Sequence, residues 1–308
     1  MDIFLQQIIN GLTLGSVYAI VALGYTMVYG IIQLINFAHG EVVMIGAMVA
    51  FTVISLLAAN TTLPPLVIVL IGAGAAIPVC MLVGYALERL AYRPLRHAPR
   101  LAPLITAIGA SIVLQHVAMM VWSRNPLAFP QIIPSQVFHV AGATITMVQI
   151  AIVVTSVVTM VGLTLIVYRT KLGVAMRATS QNPHIAGLMG VDINRVIAAT
   201  FMLGAALAAV AGVMVGTYYG IAHYTMGSLL GLKAFAAAVL GGIGNLAGAM
   251  LGGMLLGLVE ALGTGYIGDL TDNVFGSNYQ DVFAFMVLIA VLVFRPSGLL
   301  GERVGDRA

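Results

Sequence analysis

Long apolar runs separated by short polar connections dominate the chain. They occur near residues 8–32, 42–59, 66–87, 104–122, 148–167, 196–219, 246–263 and 282–294. An α-helix rises about 1.5 Å per residue, so roughly 20 apolar residues cross roughly 30 Å of hydrocarbon. The pattern predicts an all-α fold, a polytopic membrane helical bundle of about eight to nine spans, with residues 1–308 forming a single transmembrane domain. A shorter apolar stretch, 234–240, lies between Lys233 and Gly241 and would reach only about 10 Å as a helix. Gly241, Gly242 and Gly244 then interrupt the chain. Two readings fit residues 230–263. One is a discontinuous element: a half-helix that Lys233 begins, a glycine turn inside the membrane, then a fuller helix. The other is two ordinary packed helices joined by a surface turn. Backbone broken at membrane depth must be buried in protein or line a wet cavity. In either reading Lys233 is expected to extend its ammonium to the interface.

Composition supports the membrane assignment. Apolar residues make up 61% of the chain and charged residues only 7%, against roughly 25% charged in soluble domains. Disorder is excluded by the same scarcity of charge, and 35 glycines without a G-X-Y period exclude collagen. Glycines instead recur every fourth residue, as Gly11/Gly15, Gly212/Gly216/Gly220, Gly244/Gly248/Gly252 and Gly253/Gly257. That spacing lets helix backbones approach closely. Pro78, inside the third run, removes a backbone donor and is expected to kink its helix. Cys80 stands alone, so no internal disulfide is possible.

The basic residues orient the bundle. Eleven of the thirteen fall in three segments: 88–103, 168–195 and the tail from Arg295. The connections 123–147 and 264–281 hold only Arg124. The positive-inside bias therefore places 88–103, 168–195 and the C-terminus in the cytoplasm. The N-terminus lacks a cationic leader region and reads as a retained helix. Its side depends on whether residues 33–45 cross the membrane or re-enter it.

Polar groups among apolar ones mark candidate chemistry, because each is costly in hydrocarbon unless partnered. The densest set is Gln33, Asn36, His39 and Glu41 within QLINFAHGEV. These side chains suit the ammonium or carboxylate of a small solute, and His39 and Glu41 could hold one another in a low-dielectric site. The plainer reading is a turn between the first two spans, with Asn36 capping the second helix. Gln115, His116 and Glu260 read more simply as interhelical hydrogen-bonding residues. No second His or Cys stands at ligand spacing, so no metal site is expected. Neither lysine, Lys171 or Lys233, is followed by the Ser or Thr of a P-loop, so nucleotide energy would have to come from a partner.

Segment 168–195 points to such a partner. Asn182 can cap a helix, Pro183 suits its first turn, and Gly190 suits its C-terminal exit. Between them Ile185, Leu188 and Met189 form one apolar stripe. Such a stripe either docks into a groove on another protein or lies flat on the lipid interface.

Five blocks together resemble a known family: GLTLGSVYAIVALGYTMVYGIIQLINFAHGE (11–41), ERLAYRPLR (88–96), LGVAMRATSQNPHIAGLMGVDINRV (172–196), KAFAAAVLGGIGNLAGAMLGG (233–253) and RPSGLLG (295–301). They are similar to the membrane-spanning permeases of ABC importers for branched-chain amino acids. Lacking a long N-terminal extension, the chain looks like the smaller of the two paired permeases. The resemblance implies a type II ABC importer architecture in the bacterial inner membrane. Its partners would be a second permease subunit, as a paralogue or another copy, two cytoplasmic ABC ATPases and a periplasmic binding protein. This chain would bind no cofactor of its own, with ATP and Mg used by the ATPases. The resemblance also makes 182–190 the coupling helix, and it places Asn36, His39, Glu41, Gly241, Gly242 and Gly244 in signature segments near the translocation path. Permeases for urea and short amides share much of the pattern. A self-sufficient ion-coupled transporter or channel built on broken helices is the alternative of a different class.

Overall fold

The computed structural model describes residues 2–96, 98–99, 101–134, 136–140, 142–270 and 279–301. The described residues are overwhelmingly helical. In chain order the helices are α1 (Asp2–Ile32), α2 (His39–Asn60), α3 (Pro65–Ala86), α4 (Leu101–Val121), α5 (Met147–Arg169), α6 (Lys171–Gln181), α7 (Pro183–Leu188), α8 (Ile193–Tyr219), α9 (Met226–Gly241), α10 (Leu246–Leu270) and α11 (Gln280–Phe294). Among the described residues the strands are four short ones: β1 (Leu127–Ala128), β2 (Val137–Val140), β3 (Ala143–Thr146) and β4 (Ile221–Ala222). They form two antiparallel pairs, β1 with β4 and β2 with β3.

Among the described residues, seven helices are long and apolar enough to cross a membrane. The runs foreseen as the first seven spans coincide with them. The eighth run, 282–294, forms the 15-residue α11, whose length of roughly 22 Å falls short of the hydrocarbon thickness. Three boundaries differ from the sequence pattern. The half-helix is the 16-residue α9, beginning at Met226, well before Lys233. The connection 88–103 opens as a helical continuation of α3, a π turn at Leu87–Tyr92 and a 3-10 turn at Arg93–Leu95. Segment 168–195 contains two helices, α6 as well as the foreseen short one. Pro78 stands inside α3, which remains one helix around it.

The chain divides into two compact units. The first comprises Met1–Leu23, Pro134–Val158 and Lys233–Ala308. Here the glycine stripes mesh: Gly11 and Gly15 of α1 lie against Leu258 and Met254 of α10, and Gly253 and Gly257 of α10 lie against Ala19 and Gly15. A Cβ at any of these glycines would collide with opposing backbone, which is why the small residues recur every turn. The second unit comprises Gly24–Ile133 and Thr159–Leu232. Its core is α2, α3 and α8, with Gly46 against Ala209, Gly84 against Phe201 and Ala205, and Gly212 against Val43 and Ala47. Val28, Tyr92, Ala107, Ile197 and Phe201 form a buried cluster beside them.

Candidate functional site

In the second unit, α1 ends at Ile32 and α2 starts at His39, leaving a short non-helical break. Asn36 organises it. Its Oδ1 accepts from the Ala38 backbone N–H at 3.2 Å and from the Tyr92 hydroxyl at 3.1 Å, and its carbonyl accepts from His39 N–H. Asn36 therefore supports the start of α2 from outside it, while Ala38 takes the cap position without a side-chain bond. His39 is buried and meets Tyr25 edge-on, with ring centroids 4.8 Å apart. Gly24 makes room for the imidazole, since a Cβ there would collide with Nε2.

Glu41, two residues on, is buried as well. Its Oε1 accepts from Gln115 at 2.7 Å and Ser111 at 3.2 Å. These hydrogen bonds come from α4, so Glu41 is held by that helix. Its Oε2 is buried with no hydrogen-bond partner among the described residues. That oxygen faces Gly227, where a Cβ would stand 2.8 Å away. Gly227 and Gly231 pack against Gly40, which brings the start of α9 against the start of α2. Their four-residue spacing was a legible signal that the stripe reading passed over. The start of α2 thus carries one carboxylate oxygen without a hydrogen-bond partner among the described residues, packed against Gly227. Gln115 has the interhelical role foreseen for it; His116 is exposed, with Nδ1 2.8 Å from Ile112 O.

In the first unit, the foreseen glycine interruption lies between α9 and α10. Gly241 is the last residue of α9, and Gly242 and Gly244 adopt φ of +103° and +98°, which only glycine takes without strain. The freed backbone groups are satisfied from the RPSGLLG segment. Leu299 and Leu300 N–H donate to the carbonyls of Leu240 and Gly241, both at 2.9 Å. Asn245 donates to Leu300 O at 2.9 Å and accepts from Gly248 N–H at 3.1 Å, starting α10. The interruption is thus tied to the segment that follows α11, an arrangement open to either reading of residues 230–263.

The largest departure from expectation is Lys233. It does not reach for an interface. Its side chain is 8% exposed, with Nζ 2.8 Å from Glu260 Oε1 and 2.6 Å from Asp281 Oδ1. Glu260 is fully buried and also accepts from the Tyr18 hydroxyl at 2.9 Å and from Gln280. A single lysine thus holds together both limbs of the interrupted hairpin, α1 and the start of α11. The sequence carried a hint: one Lys and one Glu stand within the apolar stretches of adjacent helices. Only the fold pairs them.

Segment 171–191, in the second unit, is built as a rigid projection. Thr170 caps α6, and Arg177 of α6 donates back to Val167 O at the end of α5. Asn182 caps α7 by accepting from Ile185 N–H at 3.1 Å, with Pro183 first in the helix. The exit is a Schellman motif: Val191 N–H donates to Ala186 O and Gly190 N–H to Gly187 O, with Gly190 at φ +86°. Ala186 is buried, whereas Ile185, Leu188 and Met189 are 55%, 75% and 81% exposed. All six residues singled out here fall together on one capped helix with its apolar ridge uncovered.

Close by in the second unit, Glu88 is fully buried and pairs with Arg93 at 3.2 Å and with Arg96. Arg96 also donates to Asn194 at 2.6 Å, at the start of α8. Burial pulls the Arg96 guanidinium below its ordinary pKa, and the Glu88 carboxylate opposes that pull. Among the described residues no group of three or more His, Cys, Asp or Glu could hold a metal ion.

A family model described as the permease component of a branched-chain amino acid transport system matches residues 7–292. The chain is 50% identical over 303 residues to the high-affinity branched-chain amino acid transport system permease protein BraD of Pseudomonas aeruginosa, covering 97% of this chain and 96% of that protein. It is 44% identical over 303 residues to the corresponding protein LivH of Escherichia coli K12, with the same coverage. A probable LivH of Methanocaldococcus jannaschii is 27% identical over 314 residues, covering 97% of this chain and 94% of that one. No solved structure matches the chain.

Proposed function

This chain belongs to the family of branched-chain amino acid transport permease components, and from that premise we propose that it is the membrane-spanning permease subunit of an ATP-driven ABC importer carrying leucine, isoleucine or valine into the cytoplasm. It is a multi-pass inner-membrane protein. It works beside a second permease, two cytoplasmic ATPases that use ATP and Mg, and a periplasmic binding protein that supplies most of the selectivity. Residues 88–103, 168–195 and the C-terminus face the cytoplasm. This chain contributes a passage and a handle, with no nucleotide chemistry of its own.

The observation that carries the reading is α7: a helix capped at both ends whose Ile185, Leu188 and Met189 are exposed. An apolar ridge held this rigidly is ready to seat in a protein groove, with little ordering entropy left to lose. When two ATPases close on ATP, a ridge gripped by each would pull the permease pair between outward and inward access. Asn36, His39 and Glu41 at the α1–α2 break, and Gly241, Gly242 and Gly244 at the α9–α10 break, are the proposed path-lining elements. A free oxygen on Glu41 suits the ammonium of a zwitterionic solute. Glu260 is already paired, sharing Lys233 with Asp281, which fits a passage for neutral or zwitterionic cargo better than an ion-coupled one.

The test is Leu188→Asp. The variant retains the wild-type helical content in detergent and loses co-purification with the ATPases. Normal ATPase co-purification would overturn the coupling assignment.

A further inference from the structure

A cavity of about 230 Å³ lies in the second unit, lined by Tyr29, Ile32, Gln33, Arg96 and Pro103 among others. Its position along the spans is informative. Ile32 is the last residue of the first span, Arg96 follows the span that ends at Leu95, and Pro103 is in the first turn of the span that begins at Leu101. Three span ends meeting at one level mark the boundary between hydrocarbon and headgroups.

The charges around it do not cancel. Glu88 supplies one carboxylate, and Arg93 and Arg96 supply two guanidiniums. Arg96 spends Nη2 on Glu88 and Nη1 on Asn194. Its Nε–H is buried with no hydrogen-bond partner among the described residues. A buried donor on a cation left unmatched is costly, and an anionic oxygen is the acceptor that matches it best. Gln33, on the same wall, is the one non-glycine with positive φ among the described residues, at +53°. Glycine would take that turn without strain, so an amide held there points to use of its side chain. Leu90, Leu101 and Ile105, on the same two span ends as Arg96 and Pro103, are exposed and offer apolar contact to acyl chains.

From this juxtaposition we propose that the cavity binds the phosphate of an anionic phospholipid against the Arg96 guanidinium, with Gln33 at the mouth. Because Arg96 also holds Asn194 at the start of α8, a bound headgroup would brace the connection leading from α7.

Free phosphate shares this chemistry, so the test separates the two. The detergent-purified protein is titrated with phosphatidylglycerol or phosphatidylcholine and examined by native mass spectrometry. Both lipids carry a phosphate, but the choline cation of phosphatidylcholine meets the unbalanced guanidiniums of Arg93 and Arg96, so retention of phosphatidylglycerol should exceed that of phosphatidylcholine by roughly tenfold. Ala98→Glu, which puts a carboxylate on the cavity wall, should erase the preference. Gln33→Gly, which relaxes the turn and removes the amide, should weaken it with the fold intact. Equal retention of the two lipids, or an undiminished preference in both variants, overturns the proposal. Displacement of the lipid by millimolar inorganic phosphate assigns the site to the free ion, and displacement by leucine assigns it to cargo; either result overturns it too.

Discussion

Replacing Lys233 by Met removes the ammonium that Glu260 faces and leaves a carboxylate with no exposure to solvent. Breaking a buried pair from one side costs about 3–5 kcal/mol, because the remaining charge keeps its desolvation penalty without its partner. Tyr18 and Gln280 still donate to Glu260, which argues for the lower end of that range. The double variant Lys233→Met/Glu260→Gln removes both charges and should recover most of the loss. Asp281→Asn gives the internal contrast. Asp281 is 41% exposed, so water replaces its partner and the cost should stay within about 1 kcal/mol. The assay is thermal unfolding in detergent followed by far-ultraviolet circular dichroism. The expected order of midpoints is wild type close to Asp281→Asn, then the double variant, then Lys233→Met clearly lowest. A Lys233→Met protein as stable as wild type, or a double variant no better than the single one, would refute the assignment of Lys233 as the buried neutralising charge.

Glu41→Ala should reduce leucine transport far more than assembly, since its Oε2 has no hydrogen-bond partner among the described residues; unchanged uptake would leave the α1–α2 break a purely architectural feature. Gly212→Val forces a side chain against the backbone of Val43 and Ala47, an overpacking that costs about 1–3 kcal/mol, visible as a lowered unfolding midpoint. Gly190→Ala places a Cβ at φ +86°, a left-handed conformation costing roughly 1–2 kcal/mol. Its effect should fall on ATPase stimulation, with the midpoint of membrane-helix unfolding unchanged; a normally stimulated ATPase would count against a rigid α7.

The spans were legible because hydrocarbon imposes length and apolarity directly on sequence, as in the runs that became α2 and α8. The caps of α7 were legible for a similar reason: Asn182, Pro183 and Gly190 act on backbone groups within a few residues. What stayed hidden was pairing at a distance. Lys233 looked like a boundary because nothing local says that Glu260, 27 residues on, cancels its charge. Glu88 looked like the opening of a loop because its neutralisation by Arg93 and Arg96 is what lets the helical turns continue. The donors that hold Glu41 were not visible, since Ser111 and Gln115 lie 70 and 74 residues away. The bracing of the Gly242–Asn245 break by Leu299 and Leu300 was equally unreadable, although both segments had been singled out separately. Helix α6 was missed because its composition is too polar to stand out beside the spans.

The most direct measurement is uptake of labelled leucine by liposomes holding this chain, first alone, then with a second permease, the ATPases and the binding protein. Accumulation only in the complete set, and only with ATP and Mg, is the expected result. Uptake by this chain alone, driven by an ion gradient, would contradict the account.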